Sequence, residues 1–202
     1  SDASGENEIY LREINSTNAP KKLTSFGKGF GFRLFWSPDS KKIAFIDHEQ
    51  SIKVINISNG QITEIDRTKK NTFSSMWGFE LSWSPDSKWI AYNKALENLN
   101  SAIFLYDWEG KKLHQLTSGY YDDSRPVFDP AGKYLFFFTE RHFSPSYSSM
   151  DASWIYSNST QLAAAALDPS TPSILPPKND VATIKVTASG KEDKKQTATP
   201  KT

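Results

Sequence analysis

Apolar and polar positions follow a plan that occurs three times along the chain. The stretches FWSPDSKKIAFID (35–47), SWSPDSKWIAYNK (82–94) and VFDPAGKYLFFFT (127–139) each end one apolar run on an aromatic residue, Trp36, Trp83 or Phe128. A proline follows (Pro38, Pro85, Pro130), then a pair of short residues (Asp39-Ser40, Asp86-Ser87, Ala131-Gly132), then Lys41, Lys88 or Lys133 and a second apolar run. Proline sets φ for the first central position of a turn, and short residues tolerate the bend after it. Each copy therefore predicts strand, tight turn, strand.

A second pattern keeps step with the first. SIKVINISNGQITEI (51–65) and AIFLYDWEGKKLHQLT (102–117) read as hairpins, with Asn59-Gly60 and Glu109-Gly110 supplying the positive φ of a short loop between β-rich runs. EIYLREINSTNAPKKLT (8–24) is a weaker copy with a longer connection, and TQLAAAALDPSTPSIL (160–175) keeps the spacing with Ala163 to Ala166 in place of branched residues. Four alanines favour helix by propensity, a small preference that tertiary context overrides. The prolines stand 47 and 45 residues apart, about the length of one four-stranded propeller blade. The predicted fold is all-β, about three and a half four-stranded propeller repeats in an incomplete ring. Blades are expected at about 30–67, 79–118 and 125–175, with part of an earlier blade at 8–26, all within 1–177. From 178 to 202 the sequence turns polar and rich in Lys and Thr, which predicts a linker or flexible tail toward a further domain, with one possible strand from Val181 to Val186. Three or four blades leave edge strands unpaired, so self-association or domain swapping is expected, or else an open arc stabilised by the tail.

Charge and composition narrow the function. Lys and Arg number 24 against 23 Asp and Glu, which lacks the basic excess that binding along a phosphate backbone requires, so nucleic acid is not an expected partner. With no cysteine there is no disulfide, thiolate zinc site or thiol catalysis, and the compartment, cytoplasmic or periplasmic, stays open. No apolar run approaches the roughly 20 residues of a membrane span, and the first residues carry no signal-peptide pattern.

The W-S-P-D-S-K repeat resembles the propeller repeats of the TolB periplasmic protein, the prolyl oligopeptidase group and the tricorn peptidases. The stretch from Phe128 to Asp180, with its long insertion, small-residue strand, Thr171-Pro172-Ser173 and Pro177-Lys178-Asn179-Asp180, is similar to the last propeller blade of bacterial tricorn-like serine peptidases. That resemblance implies a non-catalytic propeller that guides, filters or anchors peptides for a peptidase domain located elsewhere. A TolB-type interaction scaffold and the propeller of a prolyl-oligopeptidase-like enzyme are the alternatives.

Chemistry-bearing motifs are sparse. The three histidines, His48, His114 and His142, lack metal-ligand spacing, and no G-x-S-x-G elbow occurs; no catalytic residue, metal ligand or cofactor is expected. GKGFG (27–31) lacks the third glycine of a dinucleotide loop and reads as an interblade connection. The repeated acids Asp39 and Asp86 belong to turn chemistry rather than to a catalytic pair. Arg33, Glu80 and Arg125 fall at one equivalent position, three residues before the terminal aromatic, on the innermost strand beside a channel. Such residues suit contact with peptide termini or interblade ion pairs of alternating sign. The segment 139–159 is too long and aromatic for a plain turn, and Tyr147, Trp154 and Tyr156 are candidates for a surface that meets substrate or a neighbouring domain.

Overall fold

The proline turns are built as their residues require. In the computed structural model, which describes residues 1–68, 76 and 78–176, the residue two past each proline takes the left-handed conformation: Ser40 at φ 58, Ser87 at φ 61 and Gly132 at φ 67. In the first two turns an acid and a serine cooperate. Ser37 Oγ donates to Asp39 and accepts the Lys42 N–H at 3.0 Å, while Asp39 Oδ1 accepts the Lys41 N–H at 3.0 Å. Ser84 and Asp86 repeat this arrangement. In the third, one residue does both jobs: Asp129 accepts from the N–H groups of Ala131, Lys133 and Tyr134, so the acid can stand before the proline instead of after it.

These turns join antiparallel meanders. The first sheet holds β3 (Gly31–Trp36), β4 (Lys42–Asp47), β5 (Ser51–Asn56) and β6 (Ile62–Arg67) in sequential order. The second repeats it with β7 (Leu81–Trp83), β8 (Trp89–Ala95), β9 (Ser101–Asp107) and β10 (Lys112–Gln115). The third has three strands among the described residues, β11 (Asp123–Phe128), β12 (Tyr134–Thr139) and β15 (Gln161–Ala166). Between β12 and β15 the insertion makes its own hairpin, β13 (Pro145–Tyr147) with β14 (Trp154–Tyr156). Near the N-terminus β1 (Tyr10–Leu11) pairs with β2 (Lys21–Lys22).

The sheets stack face to face because alternate residues point to opposite sides. Ile43, Phe45 and Ile55 pack with Ile9 and Leu23 of the N-terminal segment. Ala44, Ile46, Ile52 and Val54 on the other face meet Leu81, Trp83, Ile90 and Tyr92 of the second sheet. Ala91 and Ile103 then meet Phe128, Leu135 and Phe137 of the third. The three sheets consist of strands throughout, as the repeat requires, and the Ala163–Ala166 run is strand because the Phe137↔Ala163 and Tyr134↔Ala166 pairings hold it in the sheet. No helix among the described residues is long and apolar enough to cross a membrane.

Two expectations need correction, and one repeat position differs from its equivalents. The hairpin expected over 160–175 has only its first strand: Ser170 donates to Asp168 in a turn, and Pro169, Pro172 and Pro176 follow, which cannot all supply the N–H groups of a fourth strand. In the β9–β10 turn the positive φ falls on Lys111 (φ 51), not Gly110; Gly110 is small there because a Cβ would run into the Asp107 carboxylate, which accepts its N–H at 2.9 Å. Trp36 does not share the burial of Trp83 and Phe128; it is half exposed, since only the short β1–β2 hairpin stands on its side of the first sheet. The expected tail 178–202, the Val181–Val186 strand and the Pro177-Lys178-Asn179-Asp180 exit lie outside the described residues.

Candidate functional site

β3, β7 and β11 are the first strand of each sheet and form its inner edge. Two of them carry a bulge: register slips between Phe32 and Phe35 on β3 and between Ser124 and Val127 on β11. Arg33 (φ 47) and Arg125 (φ 52) sit in these bulges, and Pro126 occupies the second, where a missing N–H costs no ladder bond. A bulge re-aims the side chain it carries. That is how two arginines leave the regular alternation of their strands.

Arg33 turns toward the neighbouring sheet. Its Nη2 lies 2.6 Å from Glu80 Oε1 and its Nε donates to the Phe79 carbonyl at 3.2 Å. Both partners of this ion pair are more than a third exposed. Glu80 precedes β7 rather than lying within it. Arg125 shares a cleft of about 450 Å³ with Glu80, Val127 and Phe138, yet has no ion pair or hydrogen bond of its side chain among the described residues. Val127 and Leu34 expose about half of their surface on the same inner edge. The three equivalent charges thus divide into a pair and a single cation.

The aromatic candidates lie elsewhere. On β13 and β14, Tyr147 faces Trp154 and Pro145 faces Tyr156 across the ribbon, which places all four on one side of it. The rings of Tyr147 and Trp154 meet edge to face at 5.5 Å, and Phe143 extends the row to Tyr156 at 5.9 Å. All of these rings except the prolyl one are largely exposed. Phe143 escaped the sequence reading because its role depends on the hairpin register.

A polar cluster between the first two sheets was also missed. Asp66 on β6 accepts from Tyr92 Oη at 2.7 Å and from Lys94 Nζ at 2.6 Å, and Lys94 lies over the Phe104 ring at 4.3 Å. Tyr92 is fully buried, and burial together with the Asp66 charge raises its pKa well above the ordinary phenol value. Such a phenol donates a hydrogen bond and does not ionise, so the cluster ties sheets together. The three histidines are exposed: His48 lies near Phe30, His114 near Trp89, and His142 bonds Ser159 through its backbone. Among the described residues no group of three His, Cys, Asp or Glu could hold a metal.

The chain matches the family described as the tricorn protease second beta propeller domain over residues 1–201. The crystal structure of the tricorn protease is similar at a TM-score of 0.69 and 21% identity, covering 78% of this chain and 15% of that one. A putative TolB from Agrobacterium tumefaciens is similar at 0.50 and 20% identity, with 82% and 55% covered. An oligogalacturonate lyase from Vibrio parahaemolyticus follows at 0.51 and 15%, with 80% and 46% covered. At these identities the structures share the fold alone, and this chain spans little more than half, or less, of each of them. No curated protein matches. The sheets described above are propeller blades, and the chain belongs to the tricorn protease second β-propeller family.

Proposed function

We propose that this chain is a non-catalytic propeller module that receives peptides on the inner edge of its blades and passes them to a peptidase domain. One observation carries the reading: Arg125 presents a guanidinium without a carboxylate partner among the described residues, beside the exposed Val127 and Phe138. A cation flanked by apolar surface and backbone edges suits an extended peptide with a free carboxylate. Arg33 is engaged by Glu80 and serves the interface between blades. The test is anisotropy of fluorescein-labelled peptides on the intact chain, with free and amidated C-termini. Free-acid peptides are expected to bind and to lose roughly three- to tenfold in affinity with Arg125→Ala, as for a charge-assisted hydrogen bond at a wet site. Binding unchanged by that substitution, or by amidation, would contradict the reading.

A second reading is favoured by the exposed row Phe143, Tyr147, Trp154 and Tyr156. Rings of this kind are enriched in interfaces between proteins, so the hairpin is proposed as an assembly contact to a neighbouring domain or a second copy. Sedimentation of the wild type against a Tyr147→Ser, Trp154→Ser double variant distinguishes self-association from a monomer.

A further inference from the structure

The two blade interfaces carry the same slot, filled differently. Between the first and second blades, Lys42 is nearly enclosed: its Nζ lies 2.9 Å from Asp39 Oδ2, 5.6 Å from the Trp83 ring and 5.8 Å from the Trp108 ring. The side chain is 10% exposed. An ammonium held by one carboxylate and two indole rings is a stable arrangement, because the charge meets an opposite charge and two electron-rich faces while its methylenes leave water. The slot is finished by Ser87, whose Oγ accepts the Asp39 N–H at 3.0 Å across the interface.

Moving one repeat along, Asp86 stands for Asp39, Trp89 for Lys42, Phe128 for Trp83, Leu167 for Trp108 and Gly132 for Ser87. The backbone is the same, since Trp108 and Leu167 both donate their N–H to the lysine that opens the preceding strand, Lys88 and Lys133. What results is a cleft of about 380 Å³ lined by Asp86, Trp89, Leu105, Phe128, Gly132 and Leu167. It keeps the carboxylate and one aromatic wall, Phe128, has Leu167 in place of the other, and carries the Trp89 indole in place of the lysine. Asp86 Oδ1 is used by Ser84 and by the Lys88 N–H. Oδ2, the atom that in Asp39 takes the ammonium, has no hydrogen-bond or ion-pair partner among the described residues. The neighbouring Lys88 does not supply it, being engaged with Glu109 at 3.2 Å. Burial of Asp86 works against its charge, but the Ser84 hydroxyl and Lys88 amide outweigh this and hold its pKa below the usual value. The carboxylate is therefore present at neutral pH. Gly132 opens the slot further, because it offers no hydroxyl to the Asp86 N–H and a Cβ there would have room, with Pro85 Cδ 3.9 Å away.

We propose that this cleft binds the side-chain ammonium of a lysine from a peptide or partner chain. The ammonium would sit on Asp86 Oδ2 beside the Trp89 ring, as Lys42 sits on Asp39 beside Trp83, with the methylenes along Leu105, Phe128 and Leu167. The site lies past the C-terminal ends of the innermost strands, whereas Glu80 precedes β7, so it stands independently of the channel reading.

The test is a titration of the intact chain, with its tryptophan indoles labelled with nitrogen-15, by N-acetyl-lysine methylamide. Trp89→Phe assigns the signal. Saturable shift of the Trp89 indole is expected with a Kd on the order of 1–10 mM, ordinary for one charged side chain. Asp86→Asn should weaken binding about tenfold. Gly132→Ser should weaken it about threefold by closing the slot, and should fold, because Ser40 and Ser87 occupy the same turn position at φ 58 and 61. The neutral norleucine analogue should not bind. An Ala-Lys-Ala peptide that binds as well as the single residue establishes that a lysine within a chain reaches the cleft. The proposal is overturned by absence of saturation with the lysine probe, by equal binding of norleucine, by indifference to Asp86→Asn, or by binding of free amines only.

Discussion

The interface between the first two blades and the interface between the second and third come from one repeat and are held by different forces. The first has a dense set of polar ties: Arg33 to Glu80, Tyr92 and Lys94 to Asp66, the Asp39 N–H to Ser87, and the Trp83 indole N–H to the Phe35 carbonyl at 3.1 Å. At the second, the positions of Tyr92 and Lys94 are taken by Phe137 and Thr139, and the outer part of the contact is Ala163 and Ala165. Its side-chain ties gather at one place: apart from Ser82 Oγ accepting the Phe128 N–H, they lie at and beside the β8–β9 loop, where Asp122 accepts the Ser101 N–H and the Asn98 and Asn100 amides donate to the Gly119 and Tyr120 carbonyls. Apolar burial alone joins sheets without fixing register strongly, while directional bonds specify one alignment. The first interface is thus the better specified of the two, and the second is where space remains for a guest.

The sharpest way to break the comparison is a matched pair in the core. Ile90 and Leu135 are repeat equivalents, both fully buried, one facing each interface. Ile90→Ala and Leu135→Ala should each cost about 2–5 kcal/mol in urea unfolding. Hydrogen exchange should separate them: loss of protection throughout β3–β10 for the first, confined to β11, β12 and β15 for the second. Equal loss everywhere would show that the interfaces are not distinct.

A smaller effect is expected at the polar cluster. Asp66→Ala leaves a phenol and an ammonium without their acceptor and should cost about 2–3 kcal/mol, against about 1 kcal/mol for Tyr92→Phe. Phe137→Tyr, which copies Tyr92 into the third blade without an Asp66 counterpart, should give no gain in the midpoint of denaturation.

The smallest effect is a pH dependence. Burial opposes the charge of Asp39, yet the Ser37 hydroxyl, the Lys42 ammonium and the Lys41 amide together bring its pKa down from 3.8 to about 2. A carboxyl lowered on folding contributes stability above its unfolded pKa and loses it as pH falls toward the folded value. The stability difference between wild type and Asp39→Asn should therefore hold steady above pH 4 and shrink between pH 4 and 2. Asp86→Asn, at a carboxylate with no internal lysine, should show a shallower change in the same urea titrations.

Most of the strand order was legible because the proline turn is a local device. Pro38, Pro85 and Pro130 restrict φ whatever surrounds them, and the short residue two places later accepts a left-handed backbone. The Arg33–Glu80 pair was also within reach, since equivalent positions of adjacent repeats face each other. What escaped depends on register or on neighbours. The bulges at Arg33 and Arg125, the meeting of Asp66 with residues 26 and 28 positions away, and the slot left when Trp89 replaces Lys42 have no signature within a single repeat. The absence of a strand between Ala166 and Pro176 follows from three prolines whose combined effect outweighs the spacing.

The β13–β14 hairpin has a consequence for the order in which the chain acquires its structure. β4 and β5, or β8 and β9, are joined by three to five residues, so each pair closes almost as soon as it is made, whereas β12 and β15 stand on either side of residues 140–160. Closing a loop about four times longer costs roughly 1.2 kcal/mol more in entropy, which would leave β12 waiting with one edge bare. Pairing of Pro145 with Tyr156 and Tyr147 with Trp154 shortens that wait: it draws the ends of the insertion together before β15 is needed. The aromatic hairpin then acts as a stem that brings β12 and β15 together, and weakening it should slow the closure of that pair more than it lowers the stability of the finished fold.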